Sequence, residues 1–137
     1  MARNHGYALL ETLLASIILA TGLVSLASLF SVTTGVNIRN RQRTTATLLV
    51  SDKMEELQST TSPAGGSLDS MHPATGYMEY VSIAGDGTIL IDNANTLAPF
   101  LRLWEVEATD SQTVTVAVFG RIGGTASVEL ARATGSW

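Results

Sequence analysis

The stretch GYALLETLLASIILATG, residues 6–22, decides the fold of this chain. It opens an apolar run that carries no charge from Thr12 to Ile38, with a single carboxylate, Glu11, just inside its start. A helix needs roughly 20 apolar residues to cross the hydrocarbon core of a bilayer, and this run is longer. A cleaved secretory signal would begin with a similar short basic region, here Met1 to His5 with Arg3. Its apolar core, however, runs only about 7–15 residues before a small-residue cleavage site, and Glu11 would lie inside that core. The run is therefore expected to be membrane-inserted. An ionised carboxylate near lipid is costly, so intramembrane acids are as a rule paired and functional. Glu11 calls for a partner.

Beyond the run, TTATLLVSDKMEELQ (residues 44–58) keeps Ala46, Val50, Met54 and Leu57 at spacings of three or four, with Leu49 beside them. That is the stripe of an amphipathic helix. Asp52, Lys53, Glu55, Glu56 and Gln58 fall mostly off it, and STTSPAGGS (residues 59–67) supplies the Ser, Pro and Gly expected where a helix stops. A helix over about residues 7–58 would be roughly 75–80 Å long at 1.5 Å per residue. One half is expected to project from the small domain that remains.

Residues 59–76 read as a loop, and 77–137 as strands separated by turn signals. YMEYVSIA puts Tyr77, Val81 and Ile83 on one face, and GDG at 85–87 turns into TILI. PFLRLWEVEAT puts Phe100, Trp104, Val106 and Ala108 on one face. DSQ then leads into TVTVAVF, where Val114, Val116 and Val118 alternate with Thr113, Thr115 and Ala117. After RIGG, TASVELA alternates Ala126, Val128 and Leu130 with Thr125, Ser127 and Glu129. Three or four consecutive antiparallel strands with one apolar face are expected, and the stripe over 46–57 is the natural cover for that face. The expected fold class is α+β: a long N-terminal helix, half transmembrane (7–38) and half amphipathic (39–58), packed on a small antiparallel sheet.

Composition narrows the function classes. The chain has 137 residues, 45% of them hydrophobic, concentrated in the first third, so the globular remainder is small. With no cysteine there is no disulfide, thiolate metal site or cysteine nucleophile. The net charge of −4 argues against nucleic acid as a partner, since Arg39, Arg41 and Arg43 are the only basic cluster. His72 beside Pro73 has the context of a loop residue, and Asp86 and Asp92 lack the spacing and following glycine of an EF-hand. The sequence offers no nucleophile–base pair, phosphate-binding glycine loop or paired carboxylates. No catalytic residue, metal or cofactor is expected.

GYALLE at 6–11 resembles the processing signature of type IV pilins and type II secretion pseudopilins: a glycine, an aromatic residue, small or apolar residues, then glutamate. The short basic leader, the long apolar helix, the amphipathic continuation and the terminal strands extend the likeness over residues 1–58. ILATGLVSLASLF and ATLLVSDKMEEL further resemble the V-type minor pilins and I-type minor pseudopilins. The resemblance implies a leader, residues 1–6, cut by a prepilin peptidase between Gly6 and Tyr7. It also implies N-methylation of the new amine on Tyr7, and a Glu11 that pairs with the corresponding amine of a neighbouring subunit to set register. Tyr7 stands where Phe is commoner and Ala8 where Thr or Ser is common. No Pro lies between Gly6 and Gln58 and no C-terminal disulfide is possible, both of which favour a minor subunit.

On that resemblance the chain is a minor pilin or pseudopilin that initiates or caps a type IV pilus or type II secretion pseudopilus. Its partners would be the peptidase, other major and minor subunits, and inner-membrane lipid before assembly. It would sit as a single-pass protein with a periplasmic C-terminal domain, then in a surface pilus or periplasmic pseudopilus. The alternative is a non-polymerising, single-span, membrane-anchored periplasmic binding protein, in which Glu11 merely marks the interfacial edge of an anchor; a tethered enzyme is a third reading. Gly22 and Gly35 suit close helix packing in lipid, or local unwinding. Arg39, Arg41 and Arg43 oppose this orientation by the rule that basic flanks stay cytoplasmic. Arg39 and Arg43 share a helix face, where they could pair with Asp52 or Glu55 of adjacent subunits or simply solvate the helix.

Overall fold

The structure, a computed structural model, describes residues 4–60, 64–108, 112–122 and 125–136. Part of the expected leader (1–3), part of the helix-stop segment (61–63) and parts of the turns DSQ (110–111) and RIGG (123–124) lie outside the described residues. One helix, α1 (Asn4–Ser59), precedes six strands: β1 (Gly65–Gly66), β2 (Met78–Ile83), β3 (Ile89–Ile91), β4 (Phe100–Ala108), β5 (Gln112–Ile122) and β6 (Thr125–Ser136). The chain divides into two units, one ending at Asn40 and the other beginning at Arg41.

In the first unit every residue from Tyr7 to Asn40 is exposed, including Leu13, Ile17, Leu23, Phe30 and Val36. Its scattered hydroxyls do not interrupt the helix, because they bond back onto it. Thr12, Thr21, Ser25, Ser28, Thr33 and Thr34 each donate to the carbonyl four residues earlier, at 2.8–3.0 Å. A hydroxyl satisfied in this way adds little polarity to the helix surface, which suits an apolar solvent. Among the described residues, this is the one helix long and apolar enough to cross a membrane.

In the second unit the sheet is antiparallel throughout, in the order β3-β2-β4-β5-β6, with β1 paired to β4 beyond the end of β2. Ala46, Leu49, Val50 and Leu57 of α1 pack on Val81, Phe100, Trp104, Val106, Val114, Val116 and Val118. This is the expected pilin-like α+β arrangement of helix stripe on sheet face. Burying a Leu or Val side chain contributes about 1.5–3 kcal/mol, so this seam holds the unit together.

Three details differ from the sequence expectation. The sheet has apolar residues buried on both faces, not one. Leu101, Leu103, Ala117 and Phe119 are buried on the side away from α1, against Leu68, Met78 and Tyr80. The run Phe100–Trp104, interrupted by Arg102, supplies apolar residues in both phases, so alternation could not show which phase is covered. Within the connection 59–76, Gly65 and Gly66 form β1, paired with Val106 and Glu105. A Cβ on Gly66 would lie 2.3 Å from the Trp104 carbonyl oxygen, and its φ is +100°, so only glycine fits this approach.

Strand β6, finally, does not alternate strictly through Ala126, Val128 and Leu130. A bulge leaves Leu130 between the pairs Val118↔Ala131 and Phe119↔Glu129. Leu130, Ala131 and Ala133 therefore meet the core, while Val128 is exposed. Gly120 makes room for the bulged side chain: a Cβ there would come within 3.0 Å of Leu130 Cδ1.

Candidate functional site

The three residues singled out by the sequence sit at the start of α1. The Gly6–Tyr7 bond is part of the helix, and the Tyr7 side chain is 83% exposed. Glu11 is exposed one turn further on, four residues after Tyr7 and thus on the same face. Among the described residues Glu11 makes no ion pair, while the adjacent Thr12 hydroxyl is engaged with the carbonyls of Ala8 and Leu9. Among the described residues the carboxylate thus has no cationic partner, and it is exposed.

A second polar constellation lies between α1 and the sheet, and sequence reasoning missed it. Arg102 on β4 is fully buried and Lys53 on α1 is 3% exposed. Both converge on Glu79 of β2, whose side chain is 12% exposed. Arg102 Nε donates to Glu79 Oε2 at 2.8 Å and its Nη2 makes a second, shorter bond to the same oxygen. Its Nη1 donates to Asp52 Oδ2 at 2.9 Å and to the Leu49 carbonyl at 3.0 Å. Lys53 Nζ donates to Glu79 Oε1 at 2.7 Å and to Glu56 at 3.0 Å, and lies 4.2 Å from the centroid of the Trp104 ring. The two cations are thus enclosed by three carboxylates and an aromatic face, the compensation that buried charge requires.

The signal for this cluster was present in the residue phases. Arg102 falls between Phe100 and Trp104 in the phase that faces the helix. Glu79 stands in the same phase as Tyr77 and Val81. Lys53 occupies the stripe itself, since 46, 50, 53 and 57 are spaced by four, three and four. Counting only apolar residues hid three charges of opposite sign at core positions of three elements. Asp52, considered as a partner for Arg39 or Arg43 of a neighbour, is instead held by Arg102.

Among the described residues no three His, Asp or Glu side chains converge on a point that could hold a metal ion. His72 pairs with Asp69 at 3.1 Å on an exposed turn. The Asp69 carboxyl is held below its ordinary value, first by the Met71 amide and then by the His72 ring. Two solvent-open depressions adjoin Trp104, one bordered by Leu57, Thr60 and Tyr77, the other by Thr75, Met78 and Asn93. The cluster fastens the helix to the sheet.

A single apolar helix consistent with one membrane span, continuing into an amphipathic segment docked on an open antiparallel sheet, defines a pilin-like architecture. Compared with family models, curated proteins and solved structures, the chain has no match in any of the three. The fold and the residues themselves carry the functional reading.

Proposed function

We propose that the chain is a minor pilin or pseudopilin subunit, cleaved between Gly6 and Tyr7 and N-methylated on Tyr7 by a prepilin peptidase. It then initiates or caps a type IV pilus or type II secretion pseudopilus. The observation that carries this reading is an apolar helical segment, exposed from Tyr7 to Asn40 and opening with Gly6, Tyr7 and a Glu11 without an ion pair among the described residues, whose second half docks on a small sheet. In lipid those apolar side chains already have an apolar solvent, so burial among the helices of other subunits exchanges lipid contacts for helix contacts. Packing and polar pairing, more than the hydrophobic effect, then decide the arrangement.

Glu11 supplies the polar pairing. Cleavage after Gly6 creates an α-amine on Tyr7, and the amine of one subunit neutralises the Glu11 carboxylate of the next. Two charges poorly tolerated in an apolar setting tolerate it together, and only in the register that brings them into contact. Cleavage itself requires opening the first helical turn, because the scissile bond is helical in the intact chain. Gly6 lowers the cost of that opening by about 1 kcal/mol relative to alanine and leaves no side chain to obstruct a peptidase.

The test is mass spectrometry of the full chain expressed with and without a prepilin peptidase. Loss of residues 1–6 and gain of one methyl group on Tyr7 are expected only with the enzyme. A chain of full length in both samples would overturn the proposal.

A further inference from the structure

We propose that Arg39, Arg41 and Arg43 form a collar that binds the anionic headgroups of the bilayer, holding the chain at a fixed depth. The inference rests on reading the apolar run as a membrane span, but not on polymerisation. The collar follows directly on Ile38, the last residue of the uncharged run. At 1.5 Å per residue, the helix from Glu11 to Arg39 measures about 42 Å, and a bilayer with its headgroups is about 40–45 Å thick. With Glu11 at one headgroup layer, the arginines fall at the other.

The arrangement around the helix distinguishes a lipid layer from a protein partner. At about 100° per residue, Arg39 and Arg43 project to one side and Arg41 to the opposite side. Asn37, Asn40, Gln42 and Thr44 fill the angles between with polar side chains, and every position from Asn37 to Thr44 is exposed. A docking subunit would meet one side of a helix; a headgroup layer surrounds it. The first residue buried against the sheet is Ala46, which leaves about 7–8 Å of helix from Arg41 for a headgroup layer of about 5–8 Å.

The arginines are also uncommitted. Among the described residues none of the three makes an ion pair, and the acids further along the helix are engaged: Asp52 with Arg102, Glu56 with Lys53. Glu55 is three turns from Arg43, beyond the reach of a same-helix pair. Guanidinium groups present a planar fork that matches phosphate oxygens, so phosphodiester headgroups satisfy all three without an ordered protein surface.

The experiment uses the full chain in mild detergent, offered equimolar phosphatidylglycerol and phosphatidylcholine, with retained lipids weighed by native mass spectrometry. A basic residue at an anionic surface contributes roughly a fivefold preference. The wild type should therefore retain phosphatidylglycerol well above phosphatidylcholine, and added salt should erode the excess. R39Q/R41Q/R43Q should lose most of that preference, whereas R132Q, an exposed arginine on β6, should keep it. Equal retention of the two lipids by wild type, or an undiminished preference in the triple variant, would overturn the collar.

Flotation with pure phosphatidylcholine vesicles separates the two levels of the claim. Wild type and triple variant should both float, because the span needs no anionic lipid; a wild type that stays in the soluble fraction would overturn span and collar together. Reduced cross-linking between copies of the triple variant, with its lipid preference unchanged, would assign the arginines to a protein contact and overturn the lipid reading.

Discussion

Arg102 on β4 donates a hydrogen bond at 3.0 Å to the main-chain carbonyl of Leu49, 53 residues away in the C-terminal part of α1. The sheet is therefore tied to the backbone of the helix as well as to its side chains. The same guanidinium holds Glu79 and Asp52, and Glu79 in turn holds Lys53. A purely apolar seam tolerates a helix rotated or shifted by part of a turn. A buried guanidinium does not, because each lost partner leaves a charge or a carbonyl unsatisfied. Our reading is that this cluster specifies how the segment from Ala46 to Leu57 is rotated on the sheet.

Glu79 is the shared anion, so removing it leaves two buried cations short of a partner. Glu79→Gln is expected to cost about 3–5 kcal/mol, and Arg102→Met a similar amount, while K53M/E79M/R102M recovers most of the loss. Urea unfolding of the full chain in detergent, followed by tryptophan fluorescence, measures each value. Additive losses in a double-mutant cycle of Glu79 and Arg102 would refute the shared-anion account.

Gly66 sits where β1 passes over β4, with no space for a Cβ and a φ of +100°. Gly66→Ala should destabilise the domain by roughly 2–3 kcal/mol through combined clash and backbone strain. Gly22→Ala is the contrast: nothing lies within 4 Å of its would-be Cβ, so alanine should leave domain stability unchanged. The same urea titration decides both, and equal effects would contradict the assignment.

Asp69 gives a pH prediction whose sign is fixed by its hydrogen bonds. Its folded-state value lies below the unfolded one, chiefly through the Met71 amide. The contribution to stability is therefore fully present above the unfolded value and lost as pH falls through the folded value, a window below about pH 4. NMR titration of the full chain should find Asp69 below the usual aspartate range. His72→Ala should leave the carboxyl still lowered by the Met71 amide; complete reversion to an ordinary value would assign the ring, not the amide, as the main cause.

Glu11→Ala should leave cleavage by the peptidase intact and reduce incorporation into sheared filaments on the order of 100-fold, the consequence of losing about 3 kcal/mol from a desolvated ion pair. Quantitative immunoblotting of sheared and cell-bound fractions reads this directly. Normal incorporation of the variant would remove Glu11 from the assembly mechanism.

Much of this architecture follows from local pattern alone. The uncharged run from Thr12 to Ile38, unbroken by proline, dictates a long helix wherever it lies, and its hydroxyls bond back to that helix. The spacing of Ala46, Val50 and Leu57 dictates which face of the continuation is buried, and the strict alternation of Val114, Val116 and Val118 dictates a strand and the face it turns to the helix. These signals are legible because each depends on neighbours within a few residues. Gly6, Tyr7 and Glu11 form a short local motif at the start of that helix, and the role proposed for them is what the peptidase and Glu11→Ala experiments decide.

What only the tertiary structure decided is which distant residues share a site. Lys53, Glu79 and Arg102 each look like a surface charge in its own segment, because an isolated charge belongs in water. They become core residues only when helix and two strands arrive together and each supplies the counter-charge that offsets the desolvation of the others. The Gly65–Gly66 pairing and the bulge at Leu130 are decided the same way, by the register of partners far along the chain. Local sequence determined the elements and the faces they bury; the long-range pairing of charges and strands determined how they are fastened.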